Sequence, residues 1–256
     1  MQIDFFEEFP NDDSLSKLRI IKFRTNLYVA AKSVKEFLVL KTRIKNSYRN
    51  VAEVIYWLIL EADEGYWLSA FSKTSAIKRI LNELKNTNEK FSVLWDAELP
   101  ILAKELFVTQ LPNFFVNRNI IQETLFHQNP NHPLIITAFP KSGINKLLSS
   151  LACTYFSSGS FPYIDMLYTS LLRIKNKSGY LRSLIKRNKN KFQGYSVALG
   201  LIGRGVEDFS TPLISPMNLK MDLSIAQKEG VKNVVLYRLG GLNKNYLGVL
   251  EKFVSK

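Results

Sequence analysis

The sequence predicts a single (β/α)8 barrel spanning residues 1–256. Three observations lead there. Eight short apolar or aromatic runs alternate with helical stretches along the whole chain, the pattern of repeated βα units around a parallel sheet. The runs are continuously apolar, as strands covered on both faces are. A chain of 256 residues is also about what one such barrel requires.

The predicted strands are Gln2 to Phe9, Asn26 to Ala31, Val51 to Leu60, Phe91 to Leu99, Leu134 to Phe139, Ala152 to Phe156, Tyr195 to Ile202 and Lys232 to Leu239. Glu8-Phe9-Pro10, Glu98-Leu99-Pro100 and Ala138-Phe139-Pro140 end three of them with an apolar residue and a proline, which removes a ladder donor. Helix starts follow. Asn11-Asp12-Asp13-Ser14 comes after the first strand, and Ser33-Val34-Lys35-Glu36 after the second is a capping box that satisfies free N–H groups. Ser72-Lys73-Thr74-Ser75 and Ser142-Gly143 are similar starts after the third and fifth. Gly194 and Gly230 stand where left-handed caps close the helices before strands seven and eight, and Asn245 to Val254 reads as the last helix. The sixth unit, Cys153-Thr154-Tyr155-Phe156-Ser157-Ser158-Gly159, is short. An open doubly wound sheet is the competing architecture, but no G-x-G-x-x-G opens a helix after the first strand.

Composition bounds the function. Hydrophobic residues make up 46% and charged residues 22%, with 12 Gly and 9 Pro, which excludes disordered, collagenous and disulfide-scaffold chains. Cys153 is the lone cysteine, so no internal disulfide forms and a cytoplasmic location is the default expectation. The N-terminus is acidic, and no apolar run approaches the ~18 residues of a membrane helix, so the chain reads as soluble. Lys and Arg total 35 against 22 acids, a net +13. Between Asp165 and Glu207 there is no acid, whereas Arg173, Lys175, Lys177, Arg182, Lys186, Arg187, Lys189, Lys191 and Arg204 are all basic. Apolar residues interrupt that run at helical spacing, so residues 173–191 read as a solvated basic helix face or as a patch for an anionic partner.

In a barrel, function belongs at the C-terminal strand ends. Those ends carry Glu7, Glu8, Glu61, Glu64-Gly65-Tyr66-Trp67, Asp96, Glu98, Tyr155, Arg204, Glu207, Tyr237 and Arg238. In Trp95-Asp96-Ala97-Glu98 a spacing of two puts both carboxylates on one face of a strand, roughly 6–7 Å apart. Neighbouring carboxylates raise one pKa, and a protonated carboxylic acid is what cleavage of a glycosidic bond needs. The plain alternative is a pair held by Arg or by helix N-termini. Tyr66 and Trp67 read as a ligand wall, Tyr155, Tyr237 and Arg238 as further substrate contacts, and Glu8 as a second carboxylate across the mouth. Trp57 lies mid-strand and reads as core, and Trp95 as core or sugar platform.

Asp96-Ala97-Glu98 at the end of a fourth strand resembles the tail of the aspartate-rich motif of chitinase-like glycoside hydrolases, and the aromatic rim is similar to that of sugar-binding barrels. The resemblance implies Glu98 as general acid, Asp96 as its helper and the substrate acetamido group as nucleophile. The motif's longer aspartate run is replaced by Phe91-Ser92-Val93-Leu94, and Tyr237-Arg238 stands where that family has a strand-eight Trp.

A second constellation is Gly203, Gly205, Gly240 and Gly241 with Arg204 and Arg238, similar to phosphate-binding barrels whose backbone N–H groups hold an anion. Its alternative is that the glycines make turns. A barrel without catalysis is a third reading. His127 and His132 are the only histidines and precede the fifth strand, the wrong end for chemistry, so neither multi-histidine metal sites nor Ser-His-Asp chemistry is expected. No metal or cofactor is implied, and the expected ligand is a small molecule or oligosaccharide.

Overall fold

The computed structural model describes residues 1–126, 129–141, 144–159, 161–206 and 211–254. Eight parallel strands close into a barrel in sequence order: β1 (Gln2–Glu7), β2 (Thr25–Ala31), β3 (Val51–Leu58), β4 (Val93–Asp96), β5 (Leu134–Ala138), β6 (Tyr163–Met166), β7 (Tyr195–Gly200) and β8 (Asn233–Tyr237). Closure pairs β8 with β1, Phe5 opposite Leu236 and Phe6 opposite Tyr237. The outer ring comprises α1 (Asp12–Ser16), α2 (Val34–Ser47), α3 (Thr74–Asn86), α4 (Leu106–Thr109), α5 (Phe114–Phe126), α6 (Ile144–Leu151), α7 (Lys177–Asn188), α8 (Pro216–Lys228) and α9 (Lys244–Leu250). None of the described helices is long and apolar enough to cross a membrane.

The pleat sorts side chains into two layers, because successive residues point to opposite faces. Phe6, Tyr28, Ile55, Trp57, Leu94, Ile164, Met166 and Val235 fill the lumen. Ile3, Phe5, Leu27, Tyr56, Trp95 and Leu236 face the helices. The expected capping signals recur with small differences. Asn11 caps α1 through Ser14 N–H, and Ser33 caps α2 through Glu36 N–H while the Glu36 carboxylate reaches back to Lys32 N–H. Gly194 and Gly230 have φ of 67° and 81°, the left-handed backbone expected of them. The Ser142-Gly143 start lies outside the described residues. The last helix stops at Leu250 instead of Val254.

The sixth strand is a correction. It is Tyr163–Met166, whereas Ala152 to Phe156, expected there, is irregular. Ala152, Cys153 and Thr154 are buried all the same, and Phe156 packs edge-on to Trp95 with ring centroids 5.7 Å apart. The segment covers the outer face of β4, a place a helix usually occupies, so its apolar content reflects burial without a ladder. Tyr155 moves with it, off the C-terminal rim, where its ring lies 5.8 Å from Lys146 Nζ. In the true β6, Asp165 points outward and accepts bonds from Asn188 Nδ2 and the Tyr195 hydroxyl, both at 2.8 Å.

Candidate active site

At the C-terminal mouth a cavity of about 620 Å³ sits on the lumen core. Phe6, Trp57, Trp67, Phe139, Tyr168 and Tyr237 supply an aromatic lining, and Glu8, Asp96 and Glu98 supply carboxylates, with Lys104 as a cationic lining residue. Period two explains the gathering. On β1 the lumen-facing series is Asp4, Phe6, Glu8, and beyond β4 it is Leu94, Asp96, Glu98, so each strand delivers its carboxylate to the inside as its ladder ends. Asp96 is buried and Glu98 half-buried. The Ala97 N–H donates to Thr137 O at 2.8 Å, prolonging the β4–β5 pairing between the two acids and fixing the register that keeps both inside.

Glu8 is held by three donors. The Tyr66 hydroxyl donates to its Oε1 at 2.7 Å, the Val206 N–H to its Oε2 at 3.1 Å, and the Tyr237 hydroxyl to the same Oε2. Burial first, and then the Glu8 charge, push both phenols far above their ordinary range, so they stay protonated donors. The Tyr66 hydroxyl also feels the Asp96 charge. Gly205 is there for space: a Cβ would overlap the Tyr237 hydroxyl and press on the Glu8 carboxylate.

Glu7, one residue earlier, points to the helix layer. It accepts from Arg238 Nη1 at 2.6 Å, Gly240 N–H at 2.7 Å and Phe9 N–H at 2.9 Å. Burial raises its carboxyl pKa, and the Arg238 charge only partly offsets that. Arg238 also donates from Nε to Arg204 O at 2.6 Å and lies 4.7 Å over the Phe9 ring. It is engaged behind the cavity wall and is not among the lining residues.

Of the expected substrate contacts, Trp67 and Tyr237 line the cavity, while Tyr66 lies behind Glu8 and faces an adjoining groove of about 770 Å³ that also reaches Glu8, Lys32 and Lys35. Tyr155 is absent from the lining, following the displaced sixth strand. Trp57 is core and cavity floor at once. Trp95 faces outward, donating from Nε1 to Leu68 O at 2.8 Å, and packs with the covering segment. Sequence reasoning missed Thr137, Phe139, Met166 and Tyr168. Phe139 carried the same apolar-proline ending as the carboxylate strands, whereas Met166 and Tyr168 were hidden by the misplaced sixth strand.

The glycine loops are packed together. A Cβ on Gly241 would overlap Ile202 O, and one on Gly203 would press on Gly241. The Gly240 N–H already serves Glu7, and the Gly241 N–H donates to Arg238 O at 3.1 Å. The basic segment is partly neutralised: Arg182 and Lys186 lie 3.2 and 4.0 Å from Glu229, and Lys189 Nζ donates to Glu229 O. His132 is buried against Phe91, away from the cavity. His127 and Glu207 lie outside the described residues. Among the described residues no cluster of three His, Cys, Asp or Glu could hold a metal ion.

No family model matches the sequence, and no curated protein matches it. Solved structures do. The PgaB (BpsB) glycoside hydrolase domain from Bordetella bronchiseptica superposes with a TM-score of 0.58 at 11% identity, covering 99% of this chain and 98% of that one. A GH18 chitinase from Pseudoalteromonas aurantia gives 0.55 at 8% identity, covering 99% and 100%. What this chain shares with them is the closed (β/α)8 barrel fold. A chitinase from Chromobacterium violaceum, at 0.50 and 10% identity over 100% of this chain and 99% of its own, has the same architecture.

Proposed function

We propose that the chain binds a carbohydrate in the mouth cavity and hydrolyses its glycosidic linkage, with Glu98 as general acid and Asp96 beside it. The observation that carries this reading is the meeting of Asp96, Glu98 and Glu8 in one aromatic-lined cavity. Aromatic faces stack on the apolar faces of sugar rings, and buried carboxylates bond their hydroxyls. Glu98, less enclosed than Asp96, delivers a proton to the leaving oxygen, with Asp96 beside it on the same strand face. If the sugar bears an acetamido group, its carbonyl oxygen attacks the anomeric carbon as the bond to the leaving group breaks. Water then opens the cyclic intermediate and its proton returns to Glu98. Glu8, fixed by three donors, is an anion placed to face positive charge developing on the ring. Trp67 and Tyr237 form the walls. A phosphate-binding reading of the glycine loops has less support, since the N–H groups of Gly240 and Gly241 are already engaged.

The test is hydrolysis of N-acetylglucosamine oligosaccharides by the wild type and Glu98→Gln. The expected result is a drop of roughly 10²–10⁴-fold in kcat with KM little changed. Turnover that survives the substitution would remove Glu98 from the acid role, and a wild type that binds without cleaving would leave a carbohydrate-binding barrel.

A further inference from the structure

We infer that the face formed by the fourth to sixth βα units docks on an anionic lipid bilayer. This does not depend on the hydrolytic reading. Among the described residues, 13 of the 18 exposed large hydrophobic side chains lie between Ile101 and Tyr180. The densest group is on α6, whose amphipathicity is inverted: Ser149 is buried and Lys146 half-buried, while Ile144, Leu147, Leu148 and Leu151 face solvent, the first two 74% and 62% exposed. Phe156 packs on Trp95 over β4, a layer that a barrel helix usually covers with its apolar side, and α6 leaves its large apolar side chains outside that layer. On the preceding unit Val108 and Phe115 are 71% and 67% exposed. An outward apolar face of this extent marks an interaction surface, since soluble monomers seldom expose contiguous apolar patches.

Charge selects the occupant. Residues 101–191 hold twelve Lys and Arg against Glu105, Glu123 and Asp165: Lys104, Arg118, Lys141 and Lys146 on the fourth and fifth units, and eight on segment 173–191 of the sixth, where Glu229 meets Arg182, Lys186 and Lys189. From residue 124 to 164 there is no acid. A second copy would bring the same positive face against itself and be repelled. Exposed aliphatic and aromatic side chains flanked by a basic unit fit a bilayer carrying anionic headgroups, which adds electrostatic attraction to apolar burial. Ile101 and Leu102 are exposed on this side and also line the cavity, so the bilayer would lie beside the mouth.

Sedimentation of the purified chain with phosphatidylcholine vesicles, with and without about one third phosphatidylglycerol, tests this. The expected result is binding to the anionic vesicles at least about tenfold stronger than to neutral ones, weakened in about 0.5 M salt. The pair Ile144→Ser and Leu147→Asp should reduce it by about tenfold or more, whereas Val39→Asp, on α2 across the barrel, should leave it unchanged. Circular dichroism of both variants should match the wild type, because all three positions are exposed. Absence of binding to anionic vesicles, equal binding to neutral ones, or an α6 pair that binds like wild type would overturn the proposal. So would a dimer that the α6 pair converts to monomers, which would assign the face to a second copy.

Discussion

The two sides of the barrel are built differently. From β1 to β3 the strands run six to eight residues, and with β8 they hold their rim polar groups in closed sets: Glu7 with Arg238, and Glu8 with Tyr66 and Tyr237. From β4 to β6 the strands are four or five residues, the helices α4 and α6 are short, and an irregular segment replaces part of the helical layer. Yet that looser side carries Asp96 and Glu98. One side is thus a fixed wall presenting a single oriented anion, and the other supplies the proposed acid and meets the surroundings with apolar surface. The hydrogen bonds around the buried Glu8 carboxylate are thus concentrated on one side of the mouth, and most of the exposed large apolar side chains on the other.

The comparison breaks most visibly if the fixed wall is opened. Arg238→Met leaves Glu7, which has no exposed surface, without its cation, and should cost about 3–5 kcal/mol, seen as a fall of roughly 10 °C in Tm. Glu7→Gln in the same background should recover much of it, and a Tm unchanged in the single variant would contradict the closed-set account.

A second effect is expected at the seam between the sides, where Asp222 on α8 accepts from the Thr169 hydroxyl in the turn after β6. Burial pushes the Asp222 carboxyl up to about 6, with the Thr169 bond and the Lys177 charge opposing. A raised carboxyl binds its proton more tightly in the folded state, so its contribution to stability is complete below about pH 4 and is lost as pH rises through about 6. Unfolding free energies from urea denaturation should therefore fall across that window by an amount on the order of 3 kcal/mol at most. Asp222→Asn should flatten the profile there, and an identical slope in both proteins would assign the pH dependence elsewhere. The smallest effect belongs to the open side. Val108→Ser should change stability by less than about 0.5 kcal/mol by urea denaturation. A larger loss would mean that Val108 is packed and not presented.

Much of this contrast could be read from local sequence, and its exceptions share a cause. Alternation is local, so the placement of Asp96 and Glu98 on one face, and of Glu8 on the inside, followed from counting residues. Closure into eight strands followed from the repeated βα pattern. The sixth strand did not: Ala152 to Phe156 is more apolar than Tyr163–Met166, which contains Asp165, and the difference between covering a sheet and belonging to it is tertiary. Arg238 was expected to meet ligand because nothing nearby in sequence announces Glu7, 231 residues away. Residues whose role is set by strand period were legible; those whose role is set by a distant partner were not.

The clamp on Glu8 bears on the order in which the chain assembles. Its donors come from Tyr66, Val206 and Tyr237, the last 229 residues along, so the carboxylate is satisfied only after the first and final strands have met. A nascent chain that has completed seven units still lacks the Tyr237 donor, and long-range closure of this kind is slow compared with forming the helices. The mouth is therefore incomplete without β8: a chain ending before it lacks both the strand that closes the barrel and the Tyr237 donor to Glu8.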